Sequence, residues 1–176
     1  MPSNKSKTDL TPPIVSSKHL AESDGWQLSE LEYGLFIAFN AFSRWMEKCM
    51  DATGIEDLGP LDIMVLHNVN SQEREKRLTD ICFILNIEDQ HTVNYALKKL
   101  VKSGLVSSEK RGKEAFYKTT DLGINACDEY RSVREQCLLS SLKVIDKNPG
   151  ELRMAATILR GISGIYDQAA RSAASL

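Results

Sequence analysis

Residues 77–123 read RLTDICFILNIEDQHTVNYALKKLVKSGLVSSEKRGKEAFYKTTDLG. In the first half of this stretch, apolar side chains recur every three or four residues, which predicts two short amphipathic helices. Thr79 and Asp89 are residue types that cap helix N-termini, so we place the two helix starts there. Asn86 tolerates the left-handed conformation that ends a helix, and Gly104 marks the end of the second helix.

The second half of the stretch changes to the period of a β-hairpin. Residues 105–109 and 115–119 read as strands around the turn Lys110–Lys113, which contains a glycine. Two short helices followed by a hairpin is the element order of a winged helix-turn-helix. We therefore predict a mainly α fold with a small β-hairpin wing, in which the winged helix-turn-helix occupies residues 60–120.

Long apolar helices are predicted on both sides of this central part. The helical repeats at 28–53 and 121–173 carry apolar faces wider than one packing surface needs, so we interpret them as dimerisation helices. Residues 1–25 are rich in Ser, Lys, Thr and Pro and are predicted to form a flexible N-terminal arm. Residues 26–176 are then expected to form a single unit.

The composition excludes several classes of protein. The 176 residues are 42% hydrophobic and 26% charged, as in an ordinary globular protein. No apolar stretch approaches the roughly 20 residues of a membrane span, and no secretory signal opens the chain. The four cysteines lack the spacing of a zinc site or a disulfide framework. We expect a cytoplasmic protein without cofactor or metal, and the absence of catalytic motifs predicts that it is not an enzyme.

Positive charge is concentrated in one segment. The chain has a formal net charge of −2, yet residues 94–118 hold seven Lys or Arg and only two acids. That segment therefore carries +5, and the rest of the chain carries −7. Such concentration on one helix and hairpin is the electrostatic pattern that DNA binding requires.

The motifs of residues 77–123 resemble those of the MarR family of transcriptional regulators. The likeness extends over about residues 28–172, because the long helices fall where that family keeps its dimerisation helices. It is carried by Leu-Thr-Asp-Ile at 78–81, Asp-Gln-His-Thr-Val at 89–93, Leu-Lys-Lys-Leu at 97–100, Lys-Ser-Gly-Leu-Val at 102–106 and Thr-Thr-Asp-Leu-Gly at 119–123.

The resemblance implies that the helix beginning near Asp89 reads the major groove of double-stranded DNA. Side chains off its buried stripe then face base edges or phosphates, and Arg111 at the tip of the basic hairpin enters the adjacent minor groove. The predicted DNA-binding residues are Gln90, His91, Asn94 and Tyr95 toward bases, Thr92, Lys98 and Lys99 toward phosphates, and Lys110, Arg111 and Lys113 in the wing.

The sequence departs from the family pattern at the reading surface. Tyr95 stands where the family commonly has Arg, Asn94 replaces a small hydroxyl residue, and Glu109–Lys113 is basic but differently arranged from the usual D-x-R. The operator sequence therefore cannot be transferred from other members. A dimeric winged-helix adaptor that binds protein rather than DNA is the alternative hypothesis.

The resemblance also implies a homodimer on a pseudo-palindromic operator, with its two reading helices roughly 34–36 Å apart. In the family, a small-molecule effector often enters between the dimerisation helices and the winged domain. Phe36, Phe39, Phe42 and Trp45 are candidates for lining such a pocket, although core or dimer packing is the other interpretation. The expected partners are thus double-stranded DNA, a second copy of the chain and an effector, with no membrane.

Overall fold

The computed structural model describes residues 14–22, 25–142 and 150–176. The short strands are β1 (Lys76–Arg77), β2 (Val106–Arg111) and β3 (Glu114–Thr119). A 3₁₀ turn lies at Ser71–Glu73 and a π-helical segment at Glu135–Leu139. The α-helices of these ranges are α1 (Lys18–Ala21), α2 (Trp26–Asp51), α3 (Pro60–Asn70), α4 (Leu78–Leu85), α5 (Gln90–Lys102), α6 (Asp121–Arg134), α7 (Ser140–Leu142) and α8 (Glu151–Ala173). The predicted mainly α fold with a small β wing is confirmed.

The chain divides into two compact units, and the boundary lies inside α6 between Cys127 and Asp128. The first unit contains α1–α5 and the sheet, whereas the second contains the end of α6 with α7 and α8. In the predicted arm, residues 14–22 include α1, which contacts α2. The remaining arm residues 1–13 and 23–24 lie outside the described residues. The Asn-Pro-Gly sequence at 148–150 predicts a break in the C-terminal helical pattern, and its first two residues also lie outside them.

The core of the first unit lies between α2, α3, α4 and α5. The predicted stripe on α5 is buried as expected, and three of the four cysteines are buried while Cys137 is exposed. The C-terminal part of α2 packs against α3, which in turn packs against α5. The main buried side chains are Met46, Cys49, Met50, Ile63, Val65, Leu66, Val69, Ile81, Cys82, Val93, Ala96, Leu97, Leu100, Leu105 and Val106.

The ends of helices α4 and α5 agree with the predictions from the sequence, with one exception. Asn86 ends α4 in the left-handed conformation with φ 53°, and the Asp89 carboxylate accepts the backbone N–H of His91 at 2.9 Å. The prediction that Thr79 caps α4 is wrong, because α4 begins at Leu78 and Thr79 lies inside the helix. The carboxylate of Asp80, in the first turn of α4, accepts a hydrogen bond from the backbone N–H of Arg77 at 3.2 Å. The N-terminus of α4 is therefore capped by a side chain of its own first turn.

The sheet contains a third strand, β1, which lies in a run of charged residues and is therefore not predicted from the sequence pattern. β3 is central and pairs with β2, from Val106↔Thr119 to Arg111↔Glu114, and with β1 on its other edge. The charged run SQEREKR at 71–77 predicts a solvated connection between helices, yet Lys76 is 2% exposed and its ammonium donates to the Asn68 carbonyl oxygen. Burial lowers the pKa of Lys76.

The hairpin turn is shorter than predicted. Arg111 and Glu114 still pair across the strands, so only Gly112 and Lys113 form the turn, and Gly112 has φ +64°. A two-residue turn of this kind needs a left-handed backbone, which glycine adopts without steric cost. The wing is therefore a tight hairpin with its basic residues at the tip.

Candidate nucleic-acid interface

Helix α5 presents the predicted reading residues on the side opposite its buried stripe. Asp89 fixes its N-terminus, and the Thr92 hydroxyl donates to the Asp89 carbonyl oxygen at 2.8 Å. Tyr95 is 73% exposed, so its aromatic ring is accessible. The exposed predicted residues are Gln90, His91, Thr92, Tyr95 and Lys98, while Asn94 and Lys99 are half-buried.

Lys99 has an intramolecular partner. Its Nζ lies 2.7 Å from Oδ2 of Asp62 in α3, a carboxylate that is only 7% exposed. The same Oδ2 accepts the backbone N–H of Gly59 at 3.0 Å, so one side chain caps α3 and ties it to α5. The phosphate contact expected of Lys99 stays a prediction, and the structure gives this lysine a role in orienting the reading helix.

We expect Asp62→Ala to lower the free energy of unfolding by about 2 kcal/mol, because it removes a helix cap and leaves Lys99 without its carboxylate. Chemical denaturation monitored by circular dichroism measures the change. Glu56→Ala is the matched control: this exposed carboxylate lies in the loop that precedes α3, and its removal should change stability by less than about 0.5 kcal/mol. Equal stabilities for the two variants would contradict the proposed tie between α3 and α5.

The wing carries its three predicted basic residues in different environments. Lys110 and Lys113 are exposed. Arg111 forms two hydrogen bonds to Glu75, at 2.7 and 3.0 Å, and a further one to Glu109. Its guanidinium lies 4.9 Å from the centroid of the Phe116 ring. The hydrogen bonds to Glu109 and Glu75 raise the pKa of Arg111, which stays positively charged, and Arg111 in turn lowers the pKa of Glu109.

A groove separates the start of α4, helix α5 and the hairpin. Its volume is about 300 Å³, and it brings together Asn94 and Lys113, which the sequence analysis assigned separately to base reading and to the wing. Arg77 borders it and is held by Asp80 and Glu114, with Nη2–Oδ1 3.0 Å and Nη1–Oε1 3.2 Å. The full lining is Arg77, Leu78, Thr79, Asn94, Lys113, Glu114, Ala115 and Tyr117.

Sequence reasoning missed Arg77, Thr79 and Tyr117 as members of this surface. Thr79 was assigned to a helix cap, and Arg77 was placed in the solvated connection. The pairing of β1 with β3 sets Arg77 opposite Phe116 and thereby carries it to the wing. No local sequence pattern contains that pairing, because the two strands are about 40 residues apart.

The positive charge of residues 94–118 is partly compensated within the fold. Lys99 and Arg111 pair with Asp62 and Glu75, which both lie outside that segment. Within the described ranges, the lysines of the segment that form no ion pair are Lys98, Lys102, Lys110, Lys113 and Lys118. Five uncompensated lysines thus remain on the helix and hairpin that would face DNA.

The candidate effector residues lie on α2. Phe36, Phe39 and Phe42 are between 50% and 65% exposed, and Trp45 is half-buried. None of them lines the groove beside α5, or a second concavity of about 240 Å³ between the end of α3, β3 and the start of α6. The effector pocket stays a prediction.

The described part of the chain contains no group of His, Cys, Asp or Glu side chains arranged to hold a metal ion. Within the same ranges, no helix is both long enough and apolar enough to cross a membrane.

Comparison with known proteins agrees with this geometry. The family model described as "Winged helix DNA-binding domain" matches residues 58–123, whereas a search of curated proteins found no significant match. The fold is similar to a mutant of the MarR protein from E. coli complexed with operator DNA, with TM-score 0.64, 14% identity, and 80% of this chain and 99% of that one covered.

Two other solved structures are also similar in fold to this chain. One is a MarR-family transcriptional regulator from Rhodococcus sp. RHA1, with TM-score 0.62, 13% identity, and coverage of 80% and 95%. The other is reduced AbfR bound to DNA, with TM-score 0.61, 19% identity, and coverage of 80% and 98%.

The fold and the family match thus define residues 58–123 as a winged-helix domain of the DNA-binding class. Over 80% of the chain the fold is similar to that of the MarR and AbfR structures, which confirms the fold that the resemblance in the sequence implies.

Proposed function

We propose that this protein is a transcriptional regulator that binds a specific double-stranded DNA sequence as a homodimer, on a pseudo-palindromic operator. The observation that carries the proposal is the coincidence of an exposed reading helix, a tight basic wing and five uncompensated lysines in one winged-helix domain. The structures of the E. coli MarR mutant and of AbfR, which share this fold, contain DNA. The proposed activity is binding and needs no catalytic group.

In this proposal α5 lies in the major groove with its N-terminal residues toward the bases. The amides of Gln90 and Asn94 can form paired hydrogen bonds with adenine, and His91 can donate to a guanine acceptor. Lys98 and the wing lysines would contact phosphates, which fix the position of the protein without reading sequence. Asn94 is half-buried and lines the same groove as Lys113, so a base reader and a wing lysine face one concavity.

The dimer is proposed from apolar side chains that the described chain leaves exposed. On α8, Met154 and Ile165 are each 66% exposed and Ile158 is 50% exposed, and their spacing places them on one side of the helix. Phe36 and Phe39 give α2 a similar apolar surface. Exposed apolar faces of this kind mark interaction sites, and a two-fold dimer would cover the same face on both copies.

Two parts of the sequence interpretation stay predictions. They are the response to a small-molecule effector and the cytoplasmic location. The adaptor alternative also stays open, and exposed Phe83 and Tyr95 are the observation that favours it, since they would suit a protein surface. The alternatives differ in salt dependence, because duplex binding releases about 0.9 counterions per phosphate contacted.

Selection of genomic DNA fragments with the purified full-length protein tests the proposal. We expect recovery of fragments that share a pseudo-palindromic motif, and binding to that motif at least a hundredfold tighter than to a shuffled duplex at equal salt. Recovery without a common motif, with equal affinity for shuffled DNA, would contradict the proposed function.

Two substitutions on α5 should separate phosphate contacts from base contacts. We expect Lys98→Ala to weaken binding to selected and shuffled duplexes alike, by about five- to tenfold, and to lower the salt slope by about 0.9. Asn94→Ala should instead weaken only the selected duplex, by about 1–3 kcal/mol, because it removes a base contact. Fluorescence anisotropy across a salt series measures both changes.

Lys18→Ala on α1 provides the control for loss of one exposed positive charge, and its affinity should match that of the wild type. A uniform loss for Asn94→Ala, or a sequence-dependent loss for Lys98→Ala, would show that the two roles are assigned incorrectly.

A further inference from the structure

The wing arginine is engaged by two carboxylates from different parts of the chain. Glu75 uses both of its carboxylate oxygens, accepting from Nη1 and Nη2 of Arg111 at 2.7 and 3.0 Å. Glu109 accepts a third hydrogen bond from Nη2. Arg111 thus donates three N–H groups to carboxylates, and its guanidinium also lies over the Phe116 ring.

The two carboxylates differ in how easily they can be displaced. Glu109 is two residues from Arg111 on the same strand, so both side chains lie on one face of β2 and stay neighbours. Glu75 is 36 residues away in the segment before β1 and reaches Arg111 only through its side chain. Because the Glu75 side chain is 34% exposed, it can rotate into water without disturbing the hairpin.

Charge and hydrogen-bond geometry make a phosphate the natural competitor for this position. Two carboxylates against one guanidinium leave a local charge of −1 beside the wing lysines, in the part of the fold that would face DNA. A phosphate can accept the same pair of parallel N–H bonds as the carboxylate of Glu75. A backbone phosphate that binds the Nη1 and Nη2 pair of Arg111 must therefore replace Glu75.

We propose that Glu75 competes with the DNA phosphates for Arg111, and that duplex binding exchanges this intramolecular ion pair for a phosphate contact. This proposal rests on the proposed function, and it assigns Glu75 the role of limiting affinity for every duplex. Because phosphate contacts carry no sequence information, operator and non-operator DNA are weakened by the same factor. Glu75 thus lowers general adhesion to DNA while the ratio that defines specificity is unchanged.

The test is Glu75→Gln in the full-length protein, titrated with a selected fragment and with its shuffled duplex between 50 and about 300 mM salt. Glutamine keeps the shape of the side chain and removes its charge. The expected result is binding about fivefold tighter to both duplexes, with an unchanged salt slope, because Arg111 contacts one phosphate in the wild type and in the variant alike.

Two controls separate the exchange from a general effect of charge. Glu88→Gln removes an exposed carboxylate beside the start of α5 that forms no ion pair within the described residues, and it should change affinity less than twofold. In an Arg111→Ala background, Glu75→Gln should have no effect, because the group for which phosphate and carboxylate compete is gone.

The outcomes are distinct. Unchanged or weaker binding by Glu75→Gln, or the same gain in the Arg111→Ala background, overturns the exchange while the proposed function stands. Failure of the folded wild type to bind any duplex overturns the proposed function and the exchange together. Tighter binding that depends on Arg111 and leaves the salt slope unchanged supports the exchange.

Discussion

Gly123→Ala should lower the free energy of unfolding by about 3 kcal/mol, the largest loss expected from any single methyl group in this chain. A Cβ at this buried position would lie 2.1 Å from the carbonyl oxygen of Leu105 and 2.6 Å from Cγ2 of Thr119. Backbone cannot move aside as a flexible side chain does, so the first turn of α6 would have to shift. That turn is fixed by the Thr120 hydroxyl, which donates to the Gly104 carbonyl oxygen at 2.6 Å.

Urea denaturation monitored by circular dichroism measures this loss. Gly34→Ala is the matched control, because its Cβ on α2 would meet no atom within 4 Å. There the better helix propensity of alanine should stabilise the protein by up to about 1 kcal/mol. If Gly123→Ala were as stable as the wild type, the close packing of α6 on the hairpin base would be refuted.

Ile158→Asp should convert the proposed dimer into a monomer and weaken operator binding by about 100-fold or more at equal protein concentration. Ile158 lies in the exposed apolar stripe of α8 between Met154 and Ile165. In a two-fold dimer the substitution occurs on both copies, so two carboxylates would enter the apolar contact, and each costs several kcal/mol to desolvate. A monomer presents one reading helix instead of two, so it loses half of the base contacts.

Sedimentation velocity gives the mass in solution, and fluorescence anisotropy gives the operator affinity. Thr157→Asp adds the same charge at an exposed position one residue away, outside the apolar stripe, and should leave both the mass and the affinity unchanged. A dimer that persists in Ile158→Asp would exclude this face of α8 from the interface.

Local sequence patterns predicted most of the winged-helix domain. The buried stripe of α5, its Asp89 cap, the left-handed Asn86 and the alternating strands each depend on residues only a few positions apart. Helix periodicity, capping and turn geometry are short-range effects, so they can be inferred from neighbouring letters. The same periodicity predicted the exposure of five of the seven DNA-binding candidates on α5, whereas Asn94 and Lys99 are half-buried.

Contacts between distant residues were beyond such patterns. Strand β1 lies in a run of charged residues, and no neighbouring residues indicate a strand there. It forms only because it pairs with β3, which is about 40 residues further along the chain. Likewise, the pairing of Lys99 with Asp62 crosses 37 residues, and that of Arg111 with Glu75 crosses 36. The sequence established where positive charge is concentrated, since charge is a property of each residue. Which of these cations remain available to DNA depends on distances between side chains, and those distances exist only in the folded chain.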